Sequence, residues 1–99
     1  MKSYTIITGA SSGIGYELAN LFAKDKHNLI LVARNNERLQ KVKDNLSENN
    51  IDIKTLSLDL SNMNECDKLI EFIEENNLKI DVLVNNAGIG SFGDFKDIE

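Results

Sequence analysis

The chain has no proline, although average usage of about 5% would put roughly five in its 99 residues. That absence excludes proline-rich linkers and polyproline recognition segments. A single cysteine cannot close an internal disulfide, which fits a reducing cytoplasm. Histidine also occurs once, and no cluster of His, Cys or carboxylates has metal-ligand spacing, so no metal site is expected. No apolar run approaches the roughly 20 residues needed to span a bilayer. Met1-Lys2-Ser3-Tyr4 leads straight into a strand-like run with no small-residue cleavage site, so no signal peptide is expected. Basic charge is in deficit: 11 Lys and Arg face 16 Asp and Glu, and a net charge of −5 argues against a nucleic-acid backbone as partner. What is present is 41% hydrophobic residues arranged in runs, enough for a folded core. These features predict one small cytoplasmic domain.

The runs alternate between strand and helix character. Tyr4 to Thr8 is β-branched and aromatic and predicts a strand buried on both faces. Gly9 to Gly15 interrupts it. From Gly13 to about Lys26 the apolar residues Ile14, Leu18, Leu21 and Phe22 fall at helical spacing and predict its inner stripe. Leu29 to Ala33 is a second buried strand. Asn35 and Asn36 offer caps for a helix carrying Leu39, Val42 and Leu46. Ile53 to Leu58 is a third strand. Asn62 with Glu65 predicts a capping box, opening a helix whose inner face is Cys66, Leu69, Ile70 and Ile73. Val82-Leu83-Val84 is a fourth strand, ending in Asn85-Asn86-Ala87-Gly88.

Strands that are continuous apolar runs need cover on both faces, so the fold class is α/β with a parallel sheet. Right-handed crossovers and a return of the fourth strand beside the first give a Rossmann-type three-layer α/β/α arrangement with order 3-2-1-4. Ligands in such sheets bind at the switch point, here between the C-terminal ends of strands one and four. The first of these ends reads Thr8-Gly9-Ala10-Ser11-Ser12-Gly13-Ile14-Gly15. Gly9 permits a tight turn with positive φ, Gly13 clears space for a phosphate, and Gly15 permits close helix–sheet packing. Free N–H groups at the helix start favour an anion, and Ser11 and Ser12 add hydroxyl donors. The spacing G-x-x-x-G-x-G is neither the G-x-G-x-x-G pattern nor a P-loop. A plain strand-to-helix turn is the alternative reading of the glycines, and Asp59, just after strand three, reads by itself as an ordinary turn or helix-start residue. His27 reads as a surface cation at a helix C-terminus and Cys66 as a buried structural thiol.

The glycine turn, the Asp59-Leu60 pair after strand three and Asn85-Asn86-Ala87-Gly88 together resemble the short-chain dehydrogenase/reductase family, in its classical subdivision. The resemblance covers residues 1–99 in register, as the N-terminal part of a single NAD(P)-binding domain. It implies that Gly9, Ser11, Ser12, Gly13, Ile14 and Gly15 wrap the pyrophosphate and neighbouring ribose. Asp59 would accept a hydrogen bond from the adenine amino group, with the Leu60 backbone alongside. Asn86 would contact the adenosine-side ribose or support its strand, and Ala87 and Gly88 would let the cofactor pass close. In the family an acid ending strand two takes the ribose hydroxyls of NAD. Ala33 stands there, followed by Arg34, whose guanidinium suits a 2′-phosphate, so NADP(H) is expected over NAD(H). The companion basic position in some NADP-binding turns is Ser12, so half of that signature is present.

The family's acid catalyst is a Tyr in a Tyr-x-x-x-Lys arrangement, aided by a Ser. Thr8 stands four positions after Tyr4 and Asn20 four after Tyr16, so no catalytic residue is assigned within the chain. The expectation is the cofactor-binding part of an oxidoreductase of roughly 250 residues that interconverts a small carbonyl and an alcohol, truncated after the fourth strand and inactive alone. Two alternatives remain: a non-catalytic nucleotide-binding module, and an α/β domain of another class such as a methyltransferase. Ala33-Arg34 and Asn85-Asn86-Ala87-Gly88 argue against the last. Ile89 to Gly93 would lead toward the nicotinamide side. An edge strand four and a face covered by one helix also predict self-association.

Overall fold

A computed structural model describes residues 2–11 and 13–86 of the chain. The elements are β1 (Ser3–Thr8), α1 (Gly13–Lys24), β2 (Asn28–Ala33), α2 (Asn36–Leu46), a 3-10 turn (Ser47–Asn49), β3 (Ile53–Ser57), α3 (Met63–Glu75) and β4 (Lys79–Asn85). The strands form one parallel sheet in the order β3-β2-β1-β4, as the sequence pattern predicts. The β1–β4 ladder skips Asp81: Tyr4 pairs with Ile80 and Thr5 with Val82. β4 runs from Lys79 to Asn85, three residues before and one after its apolar core Val82-Leu83-Val84.

Strand periodicity sends neighbouring residues to opposite faces. Ile7, Leu29, Leu31 and Ile53 pack with Ala19 and Ala23 of α1 and Leu39, Val42 and Leu46 of α2. Tyr4, Ile6, Ile30 and Val32 pack with Leu60 and with Leu69 and Ile73 of α3. The central strands are therefore buried on both sides, which is why they read as unbroken apolar runs. β3 and β4 are only half-buried over most of their length, as befits the two sheet edges.

The inner face of α1 differs from the expected stripe. Its buried residues are Gly15, Ala19 and Ala23, whereas Ile14 and Leu21 are 68% and 62% exposed. Hydrophobic spacing alone favours the larger side chains, but α1 must approach the end of β1 closely, and only small residues fit between. Tyr16 and Phe22 close the flanks of this contact. The helix ends at Lys24, two residues before the expected limit, in a Schellman turn: Lys26 takes φ +64°, Lys26 N–H donates to Ala23 O at 3.0 Å and His27 N–H to Phe22 O at 3.0 Å. α3 ends in the same way around Asn77, with Leu78 N–H donating to Ile73 O.

His27 departs from the surface role expected of it. Its Nδ1 lies 3.0 Å from Oγ1 of the fully buried Thr5, its ring meets Phe22 edge-on at 5.1 Å, and its Nε2 is 3.3 Å from Asp25. It therefore satisfies a buried hydroxyl. Cys66 is half-buried rather than buried. Among the described residues no helix is long and apolar enough to cross a membrane.

Candidate functional site

The C-terminal ends of β1, β2, β3 and β4 open onto a cleft of about 970 Å³ lined by Gly9, Ser11, Val32, Ala33, Arg34, Asn35, Arg38, Leu58, Asp59, Leu60, Ser61 and Asn86. Backbone ties between the strand ends set its walls. Ala10 N–H donates to Val32 O at 3.2 Å and anchors the glycine turn to β2. Leu58 N–H donates to Ala33 O and the Ser57 hydroxyl to Arg34 O, which carries the end of β3 alongside Arg34. On the other flank the buried Thr8 hydroxyl links β1 to β4, receiving Asn86 N–H at 2.9 Å and standing 3.2 Å from Asn85 Oδ1.

The glycine turn is shaped by contacts that a side chain would break. Gly9 has φ +62°, and a Cβ on it would meet Asn86 at 3.2 Å. A Cβ on Gly15 would lie 2.0 Å from Gly9 O, so the first turn of α1 rests directly on the turn backbone. Among the described residues, a Cβ on Gly13 would meet nothing within 4 Å. Contacts among the described residues thus require small residues at Gly9 and Gly15 but not at Gly13. The first turn of α1 carries no acidic side chain, leaving the positive end of the helix dipole uncompensated.

Opposite this turn, Arg34 and Arg38 bring two guanidinium groups to the cleft. Asn35 caps α2 by accepting from Arg38 N–H at 3.0 Å, which sets Arg38 in the helix's first turn. Asp59 completes this wall. Its Oδ1 accepts from both the Ser61 hydroxyl at 2.6 Å and Ser61 N–H at 3.0 Å. Those bonds, with the nearby Arg34 charge, hold the Asp59 carboxyl below the usual carboxylate range.

The α3 capping box is not formed as predicted. The Asn62 side chain accepts from Asn64 N–H rather than Glu65 N–H, and Asn62 N–H donates to Asp59 O. The Glu65 carboxylate reaches past the cap to accept from Asp59 N–H at 3.1 Å. Cys66 donates its thiol to Leu60 O at 3.2 Å. The first turn of α3 therefore grips the Asp59-Leu60 turn.

A sequence profile of the family described as short chain dehydrogenase matches residues 3–99. The chain belongs to that family. It is 39% identical to a dehydrogenase/reductase SDR family protein 7-like from Dictyostelium discoideum, over 95% of this chain and 31% of that protein. Among solved structures it resembles L-sorbose reductase from Gluconobacter frateurii in complex with NADPH and L-sorbose: TM-score 0.80, 35% identity, 91% of this chain and 34% of that one. It also resembles an alcohol dehydrogenase from Thermococcus sibiricus in complex with 5-hydroxy-NADP: TM-score 0.76, 33% identity, 84% and 35% coverage. The chain thus spans about a third of the length of the relatives it matches.

The chain brings Gly9, Ser11, Arg34, Asp59, Leu60 and Asn86 to one cleft, with Gly13, Ile14 and Gly15 in the adjoining first turn of α1. Ser12, Ala87, Gly88 and the segment from Ile89 to Gly93 lie outside the described residues. Three contributors escaped the sequence reading. Arg38 stands four residues after Arg34, in the first turn of the helix that Asn35 caps, and the expected cap could have flagged it. From sequence Thr8 is a strand residue and Glu65 part of a helix cap, so neither points to the cleft.

Proposed function

We propose that this chain is the cofactor-binding part, residues 1–99, of a cytoplasmic NADP(H)-dependent short-chain oxidoreductase that interconverts a carbonyl and an alcohol by hydride transfer. The observation that carries the cofactor preference is the end of β2: no carboxylate stands there, Ala33 is nearly buried, and both Arg34 and Arg38 line the cleft beyond it. An acid at that point would repel a 2′-phosphate, whereas two guanidinium groups can form charge-assisted bonds with it. Complexes of structurally similar relatives with NADPH and an NADP analogue support this reading.

The residues fit a dinucleotide. Gly13 would leave open the space that a phosphate needs, Gly9 and Gly15 hold the turn, and free N–H groups at a helix start favour an anion there. Ser11 and Ser12 would add hydroxyl donors, and the Ile14 backbone would close the cradle. Asp59, ionised through the neutral range, would accept from the adenine amino group beside the Leu60 backbone. Asn86 would support the adenosine ribose, with Ala87 and Gly88 continuing that wall. A bound nicotinamide supplies or accepts the hydride. Of the two tyrosines, Tyr4 lies at the start of β1, away from the cleft, with its phenol pushed up to about 12 by burial and by Asp52. That shift runs opposite to what acid catalysis near neutrality requires. Neither tyrosine has a lysine four positions on, Thr8 following Tyr4 and Asn20 following Tyr16, so we assign no catalytic residue within the chain and expect binding without turnover, the carbonyl or alcohol being handled by the longer protein.

Titration of the chain with NADPH and NADH tests this. NADPH should bind at least about tenfold tighter, and Arg34→Ala should remove most of that margin, the order expected for one charge-assisted bond. Equal or tighter NADH binding overturns the preference. Steady oxidation of NADPH with simple aldehydes by the chain alone overturns the assignment of no catalyst.

A further inference from the structure

Glu65 is spent in a way that its helix does not need. In a capping box the third-position carboxylate returns to the N–H of the cap residue. Here Asn62 N–H is already bonded to Asp59 O, and the Glu65 carboxylate instead accepts from Asp59 N–H at 3.1 Å. Every polar group of Asp59 that the fold engages is then held from α3 or the turn before it. Its N–H is held by Glu65, its C=O by Asn62 N–H, and its Oδ1 by Ser61. The neighbouring Leu60 C=O is held by Cys66. Arg34 lines the same wall close to Asp59, so the direction of the Asp59 carboxylate decides what that wall can recognise.

We infer that Glu65 is a positioning residue for base recognition: by clamping Asp59 N–H it aims the Asp59 carboxylate at the exocyclic amino group of a bound adenine. This rests on the dinucleotide reading above and assigns Glu65 a role distinct from helix capping. The amino group of adenine donates, whereas hypoxanthine presents a carbonyl oxygen at the same position and cannot. A correctly aimed Asp59 must therefore favour NADPH over its hypoxanthine analogue, deamino-NADPH. A loosened Asp59 loses that discrimination even where overall affinity survives.

The test is the ratio of dissociation constants for deamino-NADPH and NADPH, measured on the chain and its Glu65→Ala, Glu65→Gln and Asp59→Ala variants. The wild type should favour NADPH by about tenfold, the order of one hydrogen bond to a charged group. Glu65→Ala should bring the ratio close to that of Asp59→Ala, with faster hydrogen exchange at the Asp59 amide. Glu65→Gln, which keeps an acceptor oxygen, should restore most of the ratio. A Glu65→Ala variant that weakens both ligands equally, or leaves both unchanged, overturns the inference while the cofactor reading stands. A wild-type chain that binds neither ligand overturns the cofactor reading, and the positioning role with it.

Discussion

Alanine at Gly13 should raise stability and destroy binding, while alanine at Gly15 should damage both. Among the described residues a Cβ on Gly13 meets nothing within 4 Å, and Gly13 does not share the positive φ of Gly9. Replacing it with Ala lowers the entropy of the unfolded chain and favours the helix start by about 0.4–1 kcal/mol. For a domain of this size that corresponds to a Tm higher by about 2–8 °C. The new methyl occupies the space through which a phosphate would approach, so NADPH affinity should fall at least about tenfold, or about 1.4 kcal/mol. A Cβ on Gly15, by contrast, falls 2.0 Å from Gly9 O and 2.8 Å from Gly9 C. Backbone must move to admit it, at a cost of about 1–3 kcal/mol, and the displaced turn takes the binding site with it. Thermal unfolding with and without NADPH, alongside nicotinamide fluorescence titration, separates the two effects. Undiminished NADPH binding by Gly13→Ala refutes the phosphate cradle. A loss of stability in Gly13→Ala matching that of Gly15→Ala refutes the reading of that open space.

Other consequences follow from contacts remote from the cleft. His27→Ala strips the buried Thr5 hydroxyl of its imidazole partner and should cost about 1–3 kcal/mol in chemical denaturation. Adding Thr5→Val should recover part of that loss, and purely additive effects would show the bond to be inconsequential. Tyr4 donates to Asp52, whose carboxyl is held low chiefly by that bond and then by Lys54, while the Tyr4 phenol is raised to about 12. The Tyr4 contribution is complete below its unfolded value of about 10 and is lost as pH rises toward 12; that of Asp52 is complete above about 3.9 and is lost as pH falls through its lower folded value. Tyr4→Phe should flatten the decline in urea midpoint on both sides, and a profile parallel to wild type would contradict the coupling. β4 has β1 as its strand neighbour among the described residues, and Val82, Leu83 and Val84 are only half-buried. Sedimentation at tens of micromolar should therefore show dimers or larger species, and a stable monomer would count against pairing through this edge or face.

Much of the fold was legible because local rules and tertiary demands coincide in it. The runs Tyr4 to Thr8 and Leu29 to Ala33 can only be central parallel strands, since their alternate side chains need cover on opposite faces. The glycines and Arg34 pointed to the cleft at the strand ends, because close backbone approach and charge are properties of single residues. α1 resisted the same treatment. Its periodic large residues suggested the inner face, yet proximity to Gly9 O selects Gly15, Ala19 and Ala23, and Ile14 and Leu21 turn outward.

The sequence by itself determined the α/β class, the strand order and the family, because hydrophobic period, glycine placement and charge type are all written in consecutive residues. Only the tertiary structure decided that Arg38 joins Arg34, that Thr8 ties β1 to β4, that His27 serves Thr5, and that Glu65 holds Asp59 rather than its own helix. Each of those depends on which groups meet once the strand ends converge. A hydrogen bond is chosen by the nearest available donor, and in this protein the nearest donor to Glu65 stands in the loop before α3.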